Sequence, residues 1–216
     1  MTTVFVIVGM GEGLSMAIAR HFAQAGFVIA MIARNETKLQ GFQAMLQAEG
    51  IESHYFVADA GDRAGLEVAF AAIQKQLGDP SVLVYNAAAP RMQNVLQESF
   101  ETLVDNFKTN VAGALVAVQA VLPAMQAQNQ GTILLTGGGF ALNPHPDFAS
   151  LAIGKAGIRS LAKSLALALK ETKIRVGTIT ICGIVNPDDP KYSPDLIAEQ
   201  FWAFHTIEES DFEVVY

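Results

Sequence analysis

The chain has 216 residues and a formal net charge of −7, with 51% hydrophobic and 16% charged residues. That length suits one α/β domain, the apolar content is far from the disordered class, and the acidic balance argues against nucleic acid or an anionic membrane surface as the main partner, leaving a small molecule. The single cysteine, Cys182, can form no internal disulfide, and the Met1 end lacks the basic flank and cleavage site of a secretory signal, so the cytoplasm is the expected compartment.

In chain order, Val4 to Arg20 is an apolar run, a glycine cluster and then helical spacing, which predicts strand, tight turn and helix. Gly9, Gly11 and Gly13 let the backbone turn sharply and approach a ligand, while the helix that follows aims its free N–H groups and positive dipole end back at the turn. A phosphate fits there, which points to dinucleotide binding; glycines that merely let strand and helix pack closely are the alternative. Residues 27–32 predict a second buried strand and 36–48 a helix, completing a β-α-β unit. Arg34 lies twenty-one residues beyond Gly13, where a dinucleotide-binding unit places the group that reads the adenosine ribose. An acid there would favour NAD, whereas Arg34 favours the 2′-phosphate of NADP; Glu36 is a second candidate and a solvated loop arginine the bland reading.

Residues 51–57 predict a third strand ending at Asp59, which is either a turn former or a cofactor contact, and Asp62 has the look of a helix N-cap. A helix over 63–77 stops at Gly78-Asp79-Pro80, and 81–85 is a fourth strand leading to Asn86-Ala87-Ala88-Ala89-Pro90. A long helical region follows over 99–128, with Asn110 in its apolar middle, where an amide needs hydrogen-bond partners. Its most apolar segment, 111–127, contains Gln119 and Pro123 and reads as a buried helix rather than a bilayer span. Residues 131–136 are a fifth strand opening onto Gly137-Gly138-Gly139, a mouth without side chains. The proline-rich 143–147 carries His145, a pocket or a surface histidine, and a helix over 148–171 carries Lys155. The sixth strand is 175–181, followed by the turn Cys182-Gly183-Ile184-Val185-Asn186-Pro187, a helix over 193–205 with Leu196, Ile197, Phe201 and Phe204 in a stripe, and an edge strand over 212–216. Strands and helices alternate without repeat or linker, so the expected architecture is a single Rossmann-type, doubly wound parallel sheet of about seven strands over 1–216, with helices on both faces. Val111, Ala114, Leu115, Val118, Val121 and Leu122 look like more apolar surface than one sheet needs, which implies association.

Over nearly its whole length the chain resembles the short-chain dehydrogenase/reductase family. The family opens with Thr-Gly-x-x-x-Gly-x-Gly, and Val8 to Ser15 fits, with Val8 for the threonine and Ser15 for the last glycine. Asp59-Ala60 matches the pair that contacts adenine, and Asn86-Ala87 the start of Asn-Ala-Gly, with Ala88 for the glycine. The resemblance thus implies cofactor contacts from Gly9, Gly11, Gly13, Leu14, Arg34, Asp59, Ala60, Asn86, Ala87, Lys155 and Ile184, with NADP rather than NAD, and a carbonyl or alcohol as substrate. It also implies a homodimer or homotetramer.

Of the family's catalytic Ser, Tyr-x-x-x-Lys and Asn, the chain keeps Asn110 and Lys155; Gly138 and Leu151 stand where the serine and tyrosine belong. Cys182-Gly183 replaces the usual Pro-Gly, and Pro187 a hydroxyl residue. In the family mechanism the tyrosine is the general acid or base, the lysine lowers its pKa and binds the nicotinamide ribose, the serine holds the substrate oxygen, and the asparagine keeps a water relay. Neither Gly138 nor Leu151 can donate a proton from its side chain. Two functions therefore compete. One is an oxidoreductase whose proton comes from Thr136, His145, Ser150, the substrate or water; the other is a cofactor-binding sensor or structural subunit without turnover.

Overall fold

The structure is a computed structural model that describes residues 3–207 and 211–216. Seven parallel strands form one sheet in the order β3-β2-β1-β4-β5-β6-β7: β1 Val4–Val8, β2 Val28–Ala33, β3 Ser53–Val57, β4 Pro80–Tyr85, β5 Gly131–Gly138, β6 Ile174–Ile181 and β7 Glu213–Val215. The helices are α1 Leu14–Gln24, α2 Glu36–Ala48, α3 Arg63–Leu77, α4 Phe100–Phe107, α5 Gly113–Gln128, α6 Ala149–Ala168 and α7 Pro194–Thr206. Both faces of the sheet are covered, which is why β1 is buried at all five residues and reads as an unbroken apolar run rather than an alternating one.

Side chains of a strand alternate between the faces, and this divides the core in two. Val4, Val6 and Val8 join Leu66, Phe70, Val118, Val121 and Ile158 from α3, α5 and α6. Phe5 and Ile7 join Ile18, Phe22, Leu39, Ile197 and Phe201 from α1, α2 and α7. Helix starts are fixed by side-chain caps that satisfy first-turn N–H groups. Asp62 accepts from Ala64 N at 3.1 Å, as the sequence suggests, and Asn35, Ser99 and Ser193 cap α2, α4 and α7 in the same way.

Three expectations are corrected. First, residues 99–128 do not form one regular helix, because Lys108–Ala112 is a π turn between α4 and α5. The Gly113 N–H reaches back five residues to the Lys108 carbonyl, and the Thr109 carbonyl accepts instead from the buried Tyr85 hydroxyl. Second, β5 continues through Gly137 and Gly138, which pair with Thr180 and Ile181, so two of the three glycines are strand, not loop. Third, Ala114, Val118 and Val121 are core, not surplus surface, while Leu96, Phe100, Phe107, Leu115 and Ile153 are among the exposed apolar residues. The stretch Phe100–Gln128 is long and apolar enough by length and composition to cross a membrane, a test that a core helix also passes. Its α5 part packs on β4 and β5 and buries Ala114, Ala117, Val118, Val121 and Met125, while Phe100, Phe107 and Leu115 stay exposed.

Candidate functional site

The chain winds from β1 outward to β2 and β3, then returns to β4 on the other side of β1, so the carboxyl ends of β1 and β4 flank a topological switch point, the usual place for a ligand crevice in such sheets. Gly9 leaves β1 there with φ of +90°. A Cβ on Gly9 would sit 2.4 Å from the Ala87 nitrogen, so only glycine allows the β1 and β4 exits to come this close. Around Gly11 and Gly13, by contrast, an added Cβ would meet nothing within 4 Å. Gly13 is the N-cap of α1 and no side-chain hydrogen bond caps that end, while the Met16 N–H turns back to the Gly11 and Gly13 carbonyls at 3.1 Å each.

Ser15, standing where the family has glycine, ties the turn together. Its hydroxyl donates to the Gly9 carbonyl at 2.7 Å and accepts from Asn86 Nδ2 at 2.7 Å, and the Asn86 N–H bonds the Val8 carbonyl at 2.8 Å. At the end of β2, Arg34 extends into solvent with its side chain 75% exposed, 3.7 Å from Asp59 Oδ2. Asp59 Oδ1 accepts from the Gly61 N–H at 2.8 Å, so Asp59 is a turn former whose second oxygen faces Arg34, and Ala60 beside it is buried. Glu36 accepts from the Tyr55 hydroxyl at 3.4 Å instead of standing free.

A cleft of about 760 Å³ runs from this turn across the carboxyl ends of β4, β5 and β6. Gly13, Leu14 and Asn86 form one end; Gly137, Gly138, Gly139, Leu151 and Lys155 line the middle; Ile181, Cys182, Gly183, Ile184 and Val185 close the far side. Ile184 is 87% exposed at its rim. The structure therefore brings together Gly13, Leu14, Asn86, Lys155 and Ile184 in one cleft, and puts Arg34 and Asp59 at the end of the neighbouring strands β2 and β3.

Lys155 is half-buried, its Nζ donating to the Thr136 carbonyl at 2.7 Å. Burial lowers its pKa from the ordinary 10.5 to about 8. A Cβ on Gly138 would lie 3.4 Å from Lys155 Cγ, Cδ and Cε, so the lysine stem lies over the place where the missing serine would begin. Asn110 is buried in the π turn, its Oδ1 accepting from the Ala89 N–H at 2.7 Å while its Nδ2 has no partner among the described residues. Its amide sits against α6: a Cβ on Gly154 would be 2.7 Å from Asn110 Nδ2.

The alternative donors separate clearly. His145 lines an adjoining apolar hollow of about 490 Å³ with Val95, Phe140 and Ile153, not the cleft. Ser150 is buried and donates to Glu98 Oε2. Thr136 lines the cleft, and its buried hydroxyl has no partner among the described residues. Among the described residues no cluster of three or more His, Cys, Asp or Glu side chains could hold a metal ion. Sequence reasoning missed the bridging role of Ser15, the cleft wall made by Ile181 and Val185, and the π turn; the serine at a glycine position was the one available signal.

A crevice at the switch point of a seven-stranded, doubly wound parallel sheet defines an α/β protein of Rossmann type. The chain belongs to the short chain dehydrogenase family, whose pattern it matches over residues 3–192. It is 32% identical over 181 residues to 2,3-dihydro-2,3-dihydroxybenzoate dehydrogenase of Bacillus subtilis, covering 84% of this chain and 67% of that one. It is 28% identical over 165 residues to human short-chain dehydrogenase/reductase 3, covering 76% of this chain and 55% of the relative, so it spans little more than half of that protein. In three dimensions it is similar to a metagenomic short-chain oxidoreductase solved with NADP, at a TM-score of 0.89 and 23% identity, with 99% of this chain and 96% of that one covered.

Proposed function

We propose that the chain binds NADP(H) and is an oxidoreductase for a small carbonyl or alcohol, with an atypical active site. The observation that carries the reading is the cradle at the switch point: open space where Gly11 and Gly13 lack side chains, facing an α1 N-terminus without a side-chain cap. A pyrophosphate fits that cradle, held by N–H groups of Gly11, Gly13 and Leu14, with Gly9 setting the turn. Arg34 would take the 2′-phosphate of the adenosine ribose, since it is exposed and bound to Asp59 only by a loose contact. Asp59 and Ala60 would flank adenine, Asn86 and Ala87 the cofactor's middle, and Lys155 and Ile184 the nicotinamide end. NADP in the metagenomic structural relative agrees with this choice. A bound nicotinamide would supply or accept a hydride, while the chain's residues would orient it, exclude water and handle the proton.

Calorimetry tests the reading: NADPH should bind the unmodified protein at least tenfold more tightly than NADH, and equal affinities would refute the assignment of Arg34. The second reading, cofactor binding without turnover, is favoured by one observation: Gly138 and Leu151 present neither hydroxyl to the cleft. The exposed Leu96, Phe100, Phe107, Leu115 and Ile153 support association of identical chains.

A further inference from the structure

We propose that Lys155 is itself the proton donor to the substrate oxygen, its ammonium both holding that oxygen and protonating it. This rests on the reading of the cleft as a carbonyl-reducing site.

The geometry narrows the field to this group. Of the alternatives, His145 lies in a separate hollow and Ser150 is committed to Glu98. Thr136 has a buried, neutral hydroxyl and meets Lys155 through its carbonyl, and Cys182 Sγ lies on the Thr180 carbonyl at 3.6 Å. Lys155 instead packs its stem against the bare Gly138, 3.4 Å from where a serine Cβ would stand, and comes to rest within the cleft. One of its three N–H bonds is anchored on the Thr136 carbonyl, which fixes Nζ and leaves two donors for a carbonyl oxygen. An ammonium makes a charge-assisted bond to a developing alkoxide, so one group can replace both missing hydroxyls. Burial also brings its acidity near neutral, to about 8, where donation is efficient.

Among the described residues, the charged and titratable groups on the elements packed around it include Cys182 in the cleft wall, Glu98, which precedes α4 and accepts from Ser150 at the start of α6, and Arg159, one turn along α6, paired with Glu213 at 2.7 Å. In reduction, a hydride from the reduced nicotinamide forms the new C–H bond and the C=O π pair moves to oxygen. That pair takes a proton from the Lys155 ammonium. The carbonyl is reduced, the nicotinamide is oxidised, and the neutral amine regains its proton from water. In the reverse direction the neutral amine accepts the alcohol proton.

The test uses the full chain, its Lys155→Arg and Lys155→Ala variants, and 2,3-butanedione as the probe substrate. Arginine keeps the charge but holds its proton too tightly to donate. At saturating NADPH, Lys155→Arg should lose on the order of 10²–10⁴ in turnover, whatever its change in NADPH affinity, and ethylamine should restore rate to Lys155→Ala. Reduction by the parent should fall as pH rises through about 8. In the cofactor-free protein, 13C NMR after reductive methylation should show, besides the α-amino group, one lysine resonance titrating near that pH, absent from Lys155→Arg. If Lys155→Arg keeps turnover, if ethylamine rescues nothing, if the reduction rate is flat through that pH, or if NADPH binds but butanedione is not reduced, Lys155 is not the donor while the cofactor reading stands. If NADPH does not bind the parent at all, the cofactor reading fails and takes this inference with it.

Discussion

The Ser15 hydroxyl joins two strands at the switch point, accepting from the Asn86 amide while donating to the Gly9 carbonyl, each at 2.7 Å. Replacing Ser15 with alanine leaves both partners unpaired in a part-buried site, at an expected cost of about 1–3 kcal/mol. For a chain of this size that is about 2–4 °C in Tm per kcal/mol, readable by calorimetry. Gly9→Ala should be far worse, because its Cβ would collide with the Ala87 backbone at a φ of +90°; soluble, folded Gly9→Ala protein would refute the account of this turn.

Cofactor choice follows from Arg34. Arg34→Ala should weaken NADPH binding and leave NADH binding nearly unchanged, so that the two affinities converge. Asp59→Asn, which removes the acceptor 3.7 Å from Arg34, should leave the preference for NADPH intact or larger. Isothermal titration of both cofactors against the three proteins decides the matter.

Restoring the family's side chains is sterically open. A serine at Gly138 would place its Cβ 3.4 Å from the flexible stem of Lys155, an ordinary contact, and the backbone there is extended, with φ of −169°. Leu151 already lines the cleft. The double change Leu151→Tyr with Gly138→Ser should raise NADPH-dependent reduction of butanedione by about 10², the lower end of what a positioned proton donor contributes. The gain should disappear when Lys155→Ala is added. Background rates in all three proteins with cofactor bound would favour the reading without turnover.

Acid sensitivity is set by His205. Its Nδ1 lies 2.9 Å from Thr132 Oγ1 among Phe22, Phe27 and Trp202, and burial, with Arg175 second, lowers its pKa from 6.5 to about 4. The unfolded chain therefore binds this proton first, so the stability His205 contributes is complete above about 6.5 and lost as pH falls toward about 4. Glu49, Glu213 and Asp189, all held below their usual range, add their own losses only at lower pH. The slope of Tm between pH 6.5 and 5 thus isolates the histidine, and His205→Leu should flatten it.

Association should be through the apolar side of α4, α5 and α6. Light scattering at micromolar concentration should give at least a dimer, and Phe100→Asp, at a side chain that is 75% exposed, should shift it toward monomer without lowering Tm of the monomer. A monomeric parent would refute the assignment of this surface.

The sequence by itself determined the alternation of strands and helices, the glycine turn after β1 and the two gaps at Gly138 and Leu151, because these depend on local pattern: apolar runs, backbone freedom and side chains that are simply missing. Its errors were of one kind. Whether Ala114, Val118 and Val121 face a sheet or a partner depends on how a helix is rotated about its axis, which periodicity in a nearly all-apolar stretch does not fix. The π turn at Asn110 depends on the Tyr85 hydroxyl from a distant strand, and the continuation of β5 through Gly137 and Gly138 depends on pairing with β6. Only the tertiary structure separated His145 and Ser150 from the cleft and laid Lys155 across Gly138, because those positions are set by contacts between elements far apart in the chain.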